Sequence, residues 1–198
     1  MEERDKKALK HCIRIARSNH HIEFLSHLNS FKPPDLSSRM NEKTSLKLFI
    51  IRTVIGQQVS VKAADATWKK VKPIVNKRTL KKSELKDIGL SQMKQEYVWG
   101  IFNSFSKRKI SKKYLRNCSL NELEDIFLCI KGIGPWTLNI IRMFYIGDED
   151  IWLPEDLAIK KCAMHFFKEQ DLSHIQSLYK PYRTYFCLYL WAGMKLIK

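Results

Sequence analysis

The spacing of apolar residues predicts a chain built from helices. One amphipathic stripe recurs at steps of three and four residues: Val61, Ala64, Trp68 and Val71. This is the pattern of a helix with one buried face, and we expect Pro73 to end it. Between Thr44 and Ile55 almost every residue is apolar, which predicts a central helix that is buried all round. Together these patterns predict an all-α protein of short helices.

A second pattern is a sharp reversal between two helices. Ser119 and Glu122 form a capping box that starts one helix, and the residues 131–135 read Lys-Gly-Ile-Gly-Pro before the next helix begins at Trp136. Glycine lets a chain turn within few residues and approach a ligand closely, because a Cβ would block both. N–H groups at the start of the second helix can hold a phosphate. The sequence therefore predicts a helix–hairpin–helix, either as a phosphate site or as a tight turn without a ligand.

Charge favours a nucleic-acid partner. The 198 residues include 36 Lys and Arg against 20 Asp and Glu, a formal net charge of +16, and 44% of residues are hydrophobic. This composition is too apolar for a disordered basic tail, so we expect a folded domain with a positive surface. No apolar stretch reaches the roughly 18 residues of a membrane span, and residues 1–7 lack the apolar run of a secretory signal. We expect no membrane partner, and a place in the cytoplasm or nucleoid of a prokaryote or in the nucleus of a eukaryote.

The cysteines do not predict a metal centre. The five are scattered, and none forms a CxxC pair. Buried thiols in a reducing compartment are the expected reading. We expect no iron–sulfur cluster and no metal site.

Two further features carry candidate chemistry. Glu155 and Asp156 follow a proline at the predicted start of a helix, where the helix dipole favours negative charge. They read either as a helix start or as a carboxylate presented for catalysis. Several aromatic side chains belong either to the core or to a pocket, because extruded bases stack on such rings. These are Trp136, Trp152, Tyr182, Tyr185, Tyr189 and Trp191.

Four ordered segments resemble the helix–hairpin–helix DNA glycosylase superfamily, and most of all 3-methyladenine DNA glycosylase II. The segments are residues 55–60, 132–137, 153–160 and 180–183, the last followed by Trp191. The resemblance covers about three quarters of the chain, from Leu46 to Trp191, and four motifs in order are more specific than any one of them.

The resemblance implies a role for individual residues. Asp156 corresponds to the catalytic aspartate, and Trp136 and Trp191 to walls of a base pocket in which Glu155 is a second acid and Tyr185 a further aromatic. Gln58 lies where the superfamily places the wedge that fills the gap left by a flipped base. The predicted contacts of the hairpin with DNA are Lys131, Gly132, Ile133, Gly134 and Thr137.

The resemblance also implies an architecture and an activity. We expect one glycosylase domain of two helical lobes, residues 44–147 and residues 1–43 with 148–198, and a cleft between them. The expected protein is a monomer that hydrolyses the N-glycosidic bond of alkylated bases in duplex DNA. It needs no cofactor, although the hairpin carbonyls could hold a monovalent cation. Trp136 occupies the position of the lysine with which strand-cutting members react, so we expect base removal without strand cleavage. The alternatives are a mismatch or deaminated-base glycosylase, or a protein that binds damaged DNA without catalysis.

Overall fold

Helices form the whole of the regular structure that is described. The computed structural model describes residues 2–30, 34–40, 44–106, 108, 110–168 and 170–197, and these residues contain no strand. The prediction of an all-α fold is therefore confirmed. The chain divides into two compact units, one of Met1–Asn41 with Arg142–Lys198 and the other of Glu42–Ile141. We call them the terminal unit and the central unit.

The α-helices are short, and a few tighter or wider helical turns accompany them. In chain order they are α1 (Glu3–Ser18), α2 (Ile22–Ser30), α3 (Leu36–Arg39), α4 (Leu46–Gly56), α5 (Val61–Val75), α6 (Gln92–Ser106), α7 (Lys112–Asn117), α8 (Leu120–Phe127), α9 (Pro135–Ile141), α10 (Leu157–Phe167), α11 (Leu172–Leu178) and α12 (Arg183–Gly193). Two 3₁₀ turns cover Lys82–Leu85 and Met194–Leu196, and a π-helix, Arg142–Ile146, follows α9 directly.

Helix α4 forms the core of the central unit, as its apolar sequence predicts. It packs against α5, α6 and α9. Ile50, Ile51 and Val54 are fully buried, and the Ser45 side chain caps the first turn by accepting a hydrogen bond from the Leu48 N–H. The neighbouring helices are thereby fixed around one central element.

The predicted end of α5 at Pro73 is wrong. The helix continues through the proline to Val75. A proline inside a helix removes one N–H donor, here the donor to the Lys69 carbonyl. Lys69 lies on the exposed face of α5, where water can replace that donor, and Val71 and Val75 are fully buried on the opposite face. Burial of this face outweighs the local cost of the proline.

The terminal unit is built around α12 and a cluster of aromatic rings. All residues from 184 to 190 are buried. Tyr179 and Phe186 stack with ring centroids 4.0 Å apart, and Phe24 of α2 meets Phe186 edge-on at 5.4 Å. Among the five free thiols, the buried ones are Cys12, Cys162 and Cys187. This packing fixes α12 as the rigid support of the unit.

Within the described part of the chain, none of the helices combines the length and the apolar character that crossing a bilayer requires. Over the same residues, no group of three or more His, Cys, Asp or Glu side chains is arranged to hold a metal ion.

Candidate active site

Asp156 lies at the N-terminus of α10. Its Oδ1 accepts a hydrogen bond of 2.9 Å from the Ile159 N–H, which makes it the N-cap of the helix. Such a cap satisfies one of the backbone donors that the first helical turn leaves without a partner. Asp156 is therefore a helix cap, and a second hydrogen bond to the same carboxylate shows whether capping is its only role.

That contact comes from Trp191 on α12. Its indole Nε1–H donates to the same Asp156 Oδ1 at 3.0 Å. The Trp191 ring also stacks with Phe144 of the π-helix, with centroids 6.2 Å apart and planes 26° from parallel. A helix cap does not need an indole donor, so this bond fixes the carboxylate in one orientation and indicates a role beyond capping.

The segment that leads to Asp156 is held by the opposite end of α12. The Arg183 guanidinium donates to both carboxylate oxygens of Asp150, at 2.7 and 2.8 Å. The Thr184 hydroxyl donates to the Asp148 carbonyl at 2.8 Å and accepts from the Ile151 N–H at 3.0 Å. Burial by itself would raise the pKa of Asp150, but the hydrogen bonds from Arg183 hold that pKa below its usual value. Helix α12 thus fixes both the approach to the site and the carboxylate.

Two predicted pocket residues lie elsewhere. Tyr185 is fully buried, and its hydroxyl donates to the buried Asp5 Oδ1 at 3.0 Å. Its prediction as a pocket wall is wrong, because the ring has no accessible face and serves the core. Glu155 is exposed and lies 3.6 Å from the Lys160 ammonium, an ion pair of the surface. Its place in a base pocket stays a prediction.

The hairpin joins α8 to α9 and depends on Gly132. This residue has a φ of +92°, and a Cβ there would lie 2.5 Å from Cγ of Tyr97. Gly134 has open space where its Cβ would be, so the fold of the unit does not require glycine at this position. Ile133 packs inward and is buried, which leaves only its backbone for a ligand, whereas Lys131 is exposed.

The turn between α4 and α5 presents Gln58. This side chain is exposed, and the backbone has a φ of +55°, which is uncommon for a residue with a Cβ. The neighbouring Gln57 turns inward, and its Nε2 donates to the Thr137 hydroxyl at 2.8 Å. Thr137 is buried, so its prediction as a DNA contact is corrected: its hydroxyl holds the turn. In the sequence, Gln57 is included only as part of the segment 55–60, and no pattern indicated Phe144.

Positive charge is concentrated in the central unit. Residues 42–141 contain 20 Lys and Arg against 8 Asp and Glu, a net charge of +12 out of the +16 of the chain. Trp136 is half-buried in the first turn of α9 in this unit, and Trp191 belongs to the terminal unit. The base pocket that the two tryptophans would enclose, and the cleft that would contain it, stay predictions.

Comparisons of the sequence and of the fold find proteins that are named DNA glycosylases. No protein-family model matches the chain. DNA-3-methyladenine glycosylase 1 of Schizosaccharomyces pombe is 28% identical over 176 residues, which cover 80% of this chain and 77% of that protein. Alkylbase DNA glycosidase-like protein mag2 of the same yeast is 29% identical over 119 residues, 57% of this chain and 56% of the relative. The structure of S. pombe 3-methyladenine DNA glycosylase (Mag1) in complex with abasic DNA superposes with a TM-score of 0.76 at 23% identity, over 96% of this chain and 98% of that one.

The resemblance to the helix–hairpin–helix DNA glycosylases is confirmed. The structural likeness, at 23% identity, establishes the fold alone. In this chain the hairpin consists of α8 and α9 with residues 128–134 between them. The catalytic role that the resemblance implies for Asp156 stays a prediction, and the hydrogen bonds from Ile159 and Trp191 are consistent with it.

Proposed function

We propose that the chain is a DNA glycosylase that hydrolyses the N-glycosidic bond of alkylated bases in duplex DNA. The observation that carries this proposal is the Asp156 carboxylate, which is fixed by the Ile159 N–H and the Trp191 indole N–H at the start of α10. Relatives that are named as 3-methyladenine or alkylbase glycosylases support the same substrate class.

Removal of an alkylated base requires a negative charge near the sugar more than a general acid that protonates the base. An alkylated purine already carries positive charge, so it leaves as a neutral base and takes the electron pair of the bond to C1′. The sugar then gains oxocarbenium character. A fixed carboxylate such as Asp156 stabilises that developing charge and orients a water whose oxygen bonds to C1′, and the carboxylate accepts the proton that this water loses. Normal bases leave less readily and cost more to unstack, so the pocket need not be exacting.

Binding to DNA rests on the central unit. Its net charge of +12 favours contact with phosphates, and the open position at Gly134 lets a backbone approach the hairpin closely. The exposed Gln58 side chain is the candidate wedge for the gap left by a flipped base. We propose that a monomer carries out these steps without a required cofactor. A monovalent cation at the hairpin carbonyls remains a prediction.

The proposed enzyme removes the base and leaves the strand intact. Strand cleavage in the superfamily needs a lysine two residues after the second hairpin glycine, and this position holds Trp136, whose indole cannot form an imine. Lys131 precedes the hairpin and is exposed. Water is then the nucleophile, and the product is an abasic strand.

A base-excision assay tests the proposal against its alternatives. Duplexes that contain a methylated purine, a deaminated base or a mismatch are incubated with the protein and then cleaved with alkali. We expect cleavage of the methylated duplex, a loss of at least about a hundredfold in rate for Asp156→Asn, and retained binding by that variant. Excision limited to the deaminated or mismatched duplex would favour the other glycosylase class. Binding without excision of any duplex, or full activity of Asp156→Asn, would refute the assignment.

A further inference from the structure

Gln57 connects two elements that are far apart in the sequence. Its side-chain Nε2 donates to the Gly132 carbonyl of the hairpin at 3.1 Å and to the Thr137 hydroxyl of α9 at 2.8 Å. A side-chain amide has two N–H donors, so both are used in this connection. The turn between α4 and α5 is therefore tied to both sides of the hairpin.

Lys94 of α6 holds the same turn from the backbone side. Its ammonium donates to the Ile55 carbonyl at 2.7 Å and to the Gln57 carbonyl at 2.8 Å. These carbonyls lie at the C-terminal end of α4, where helical carbonyls lack intrahelical partners and a cation is favoured. Lys94 is half-buried where it makes these contacts, and this burial lowers its pKa below the ordinary value.

One face of α6 supports both elements. Tyr97 lies three residues after Lys94, on the same face of the helix. Its ring fills the space that a Cβ on Gly132 would need. Lys94 holds the turn by hydrogen bonds, the Tyr97 ring packs against the hairpin at Gly132, and Gln57 connects the turn to the hairpin.

We propose that Gln57 and Lys94 are positioning residues that hold the Gln58 turn and the hairpin at a fixed spacing, so that both engage one damaged duplex together. The proposal rests on the proposed function. Gln58 follows directly after a residue that is anchored through both its carbonyl and its side chain, and its positive φ requires such support. When the turn and the hairpin already have the spacing that the duplex requires, binding does not have to pay the entropy cost of ordering them.

This positioning role predicts different effects on the binding of abasic duplex and of intact duplex. Intact duplex needs only the hairpin and the surrounding positive charge, whereas a duplex with an abasic site also offers a space for Gln58. Breaking the links should therefore weaken binding to abasic duplex more than binding to intact duplex. A merely structural role would weaken both equally.

Binding is measured by fluorescence anisotropy with two duplexes that differ only by a tetrahydrofuran abasic site. We expect Lys94→Met and Gln57→Glu each to lower the preference for the abasic duplex by about tenfold, as expected for the loss of two partly buried hydrogen bonds. Lys94→Arg, which retains a charged donor, should restore most of the preference. Thr137→Val removes only the hydroxyl acceptor with little change of shape, and it should lower the preference by a smaller factor.

Gln95→Met is the matched control. Gln95 is a neighbouring half-buried amide of α6 that donates to the Leu90 carbonyl at 3.0 Å and contacts neither element through that bond. Its loss should leave the preference unchanged. An unchanged preference in Lys94→Met and Thr137→Val, with wild-type excision intact, would overturn the positioning role alone. A wild-type protein that neither prefers the abasic duplex nor excises any base would instead refute the proposed function.

Discussion

The bond between Trp191 and Asp156 gives the sharpest test of the candidate site. Trp191→Phe removes the indole donor, which lies 3.0 Å from Asp156 Oδ1, and keeps an aromatic ring that can stack on Phe144. The Ile159 N–H still caps the carboxylate, so α10 should form normally. The substitution therefore changes the orientation of one carboxylate and little else.

The magnitude follows from the kind of bond. A hydrogen bond to a charged group is worth roughly 1.5–3 kcal/mol. Asp156 is only half-buried, so we take the lower part of this range, about 1.5–2 kcal/mol. Since about 1.4 kcal/mol corresponds to a tenfold change in rate, the rate of base removal should fall by about ten- to thirtyfold.

Single-turnover excision of one methylated purine, with enzyme in excess, measures this rate separately from DNA binding. Trp99→Phe makes the same change from indole to phenyl on α6 of the central unit, where Trp99 is exposed, and should keep the wild-type rate. An unchanged rate in Trp191→Phe would refute the positioning of Asp156 by the indole. Weaker binding with an unchanged rate would show that Trp191 acts only by stacking on the base.

Three further predictions concern the hairpin, the fold and the product. Gly132→Ala should lower the thermal stability because of its φ of +92° and the Tyr97 ring, whereas Gly134→Ala should leave stability unchanged and weaken DNA binding; equal effects in both assays would contradict this division. Burial lowers the pKa of His21 and His27 from 6.5, so the unfolded chain binds protons that the folded chain does not. The free energy of unfolding should be highest above pH 6.5, and below pH 6.5 it should fall by up to about 1.4 kcal/mol per pH unit for each histidine. Urea titrations that give the same free energy of unfolding at pH 7.5 and at pH 5.5 would disprove this prediction. Borohydride added during turnover should trap no covalent adduct between protein and DNA, and a stoichiometric adduct would mean that a lysine has replaced water as nucleophile.

Features that depend on near neighbours in the chain can be predicted from the sequence. The apolar run of α4 predicts a central helix, because a helix that is apolar all round is stable only where every face is covered. The capping box at Ser119 and Glu122 is present as predicted, since both partners lie within one turn. The acid before α10 and the hairpin were predicted for the same reason: caps and tight turns are local, and their signals lie within a few residues.

Which of several similar residues contact the candidate site depends on the packing of helices that are distant in the sequence. Tyr185 and Trp191 lie on one apolar helix, yet Tyr185 meets Asp5 in the core and Trp191 meets Asp156. Gln57 and Gln58 are adjacent, yet only Gln57 turns toward the hairpin. The partners that make these choices lie between 35 and 180 residues away in the chain. A periodic pattern shows that a side chain is apolar or polar, but its neighbour is fixed only when helices from distant parts of the sequence pack together.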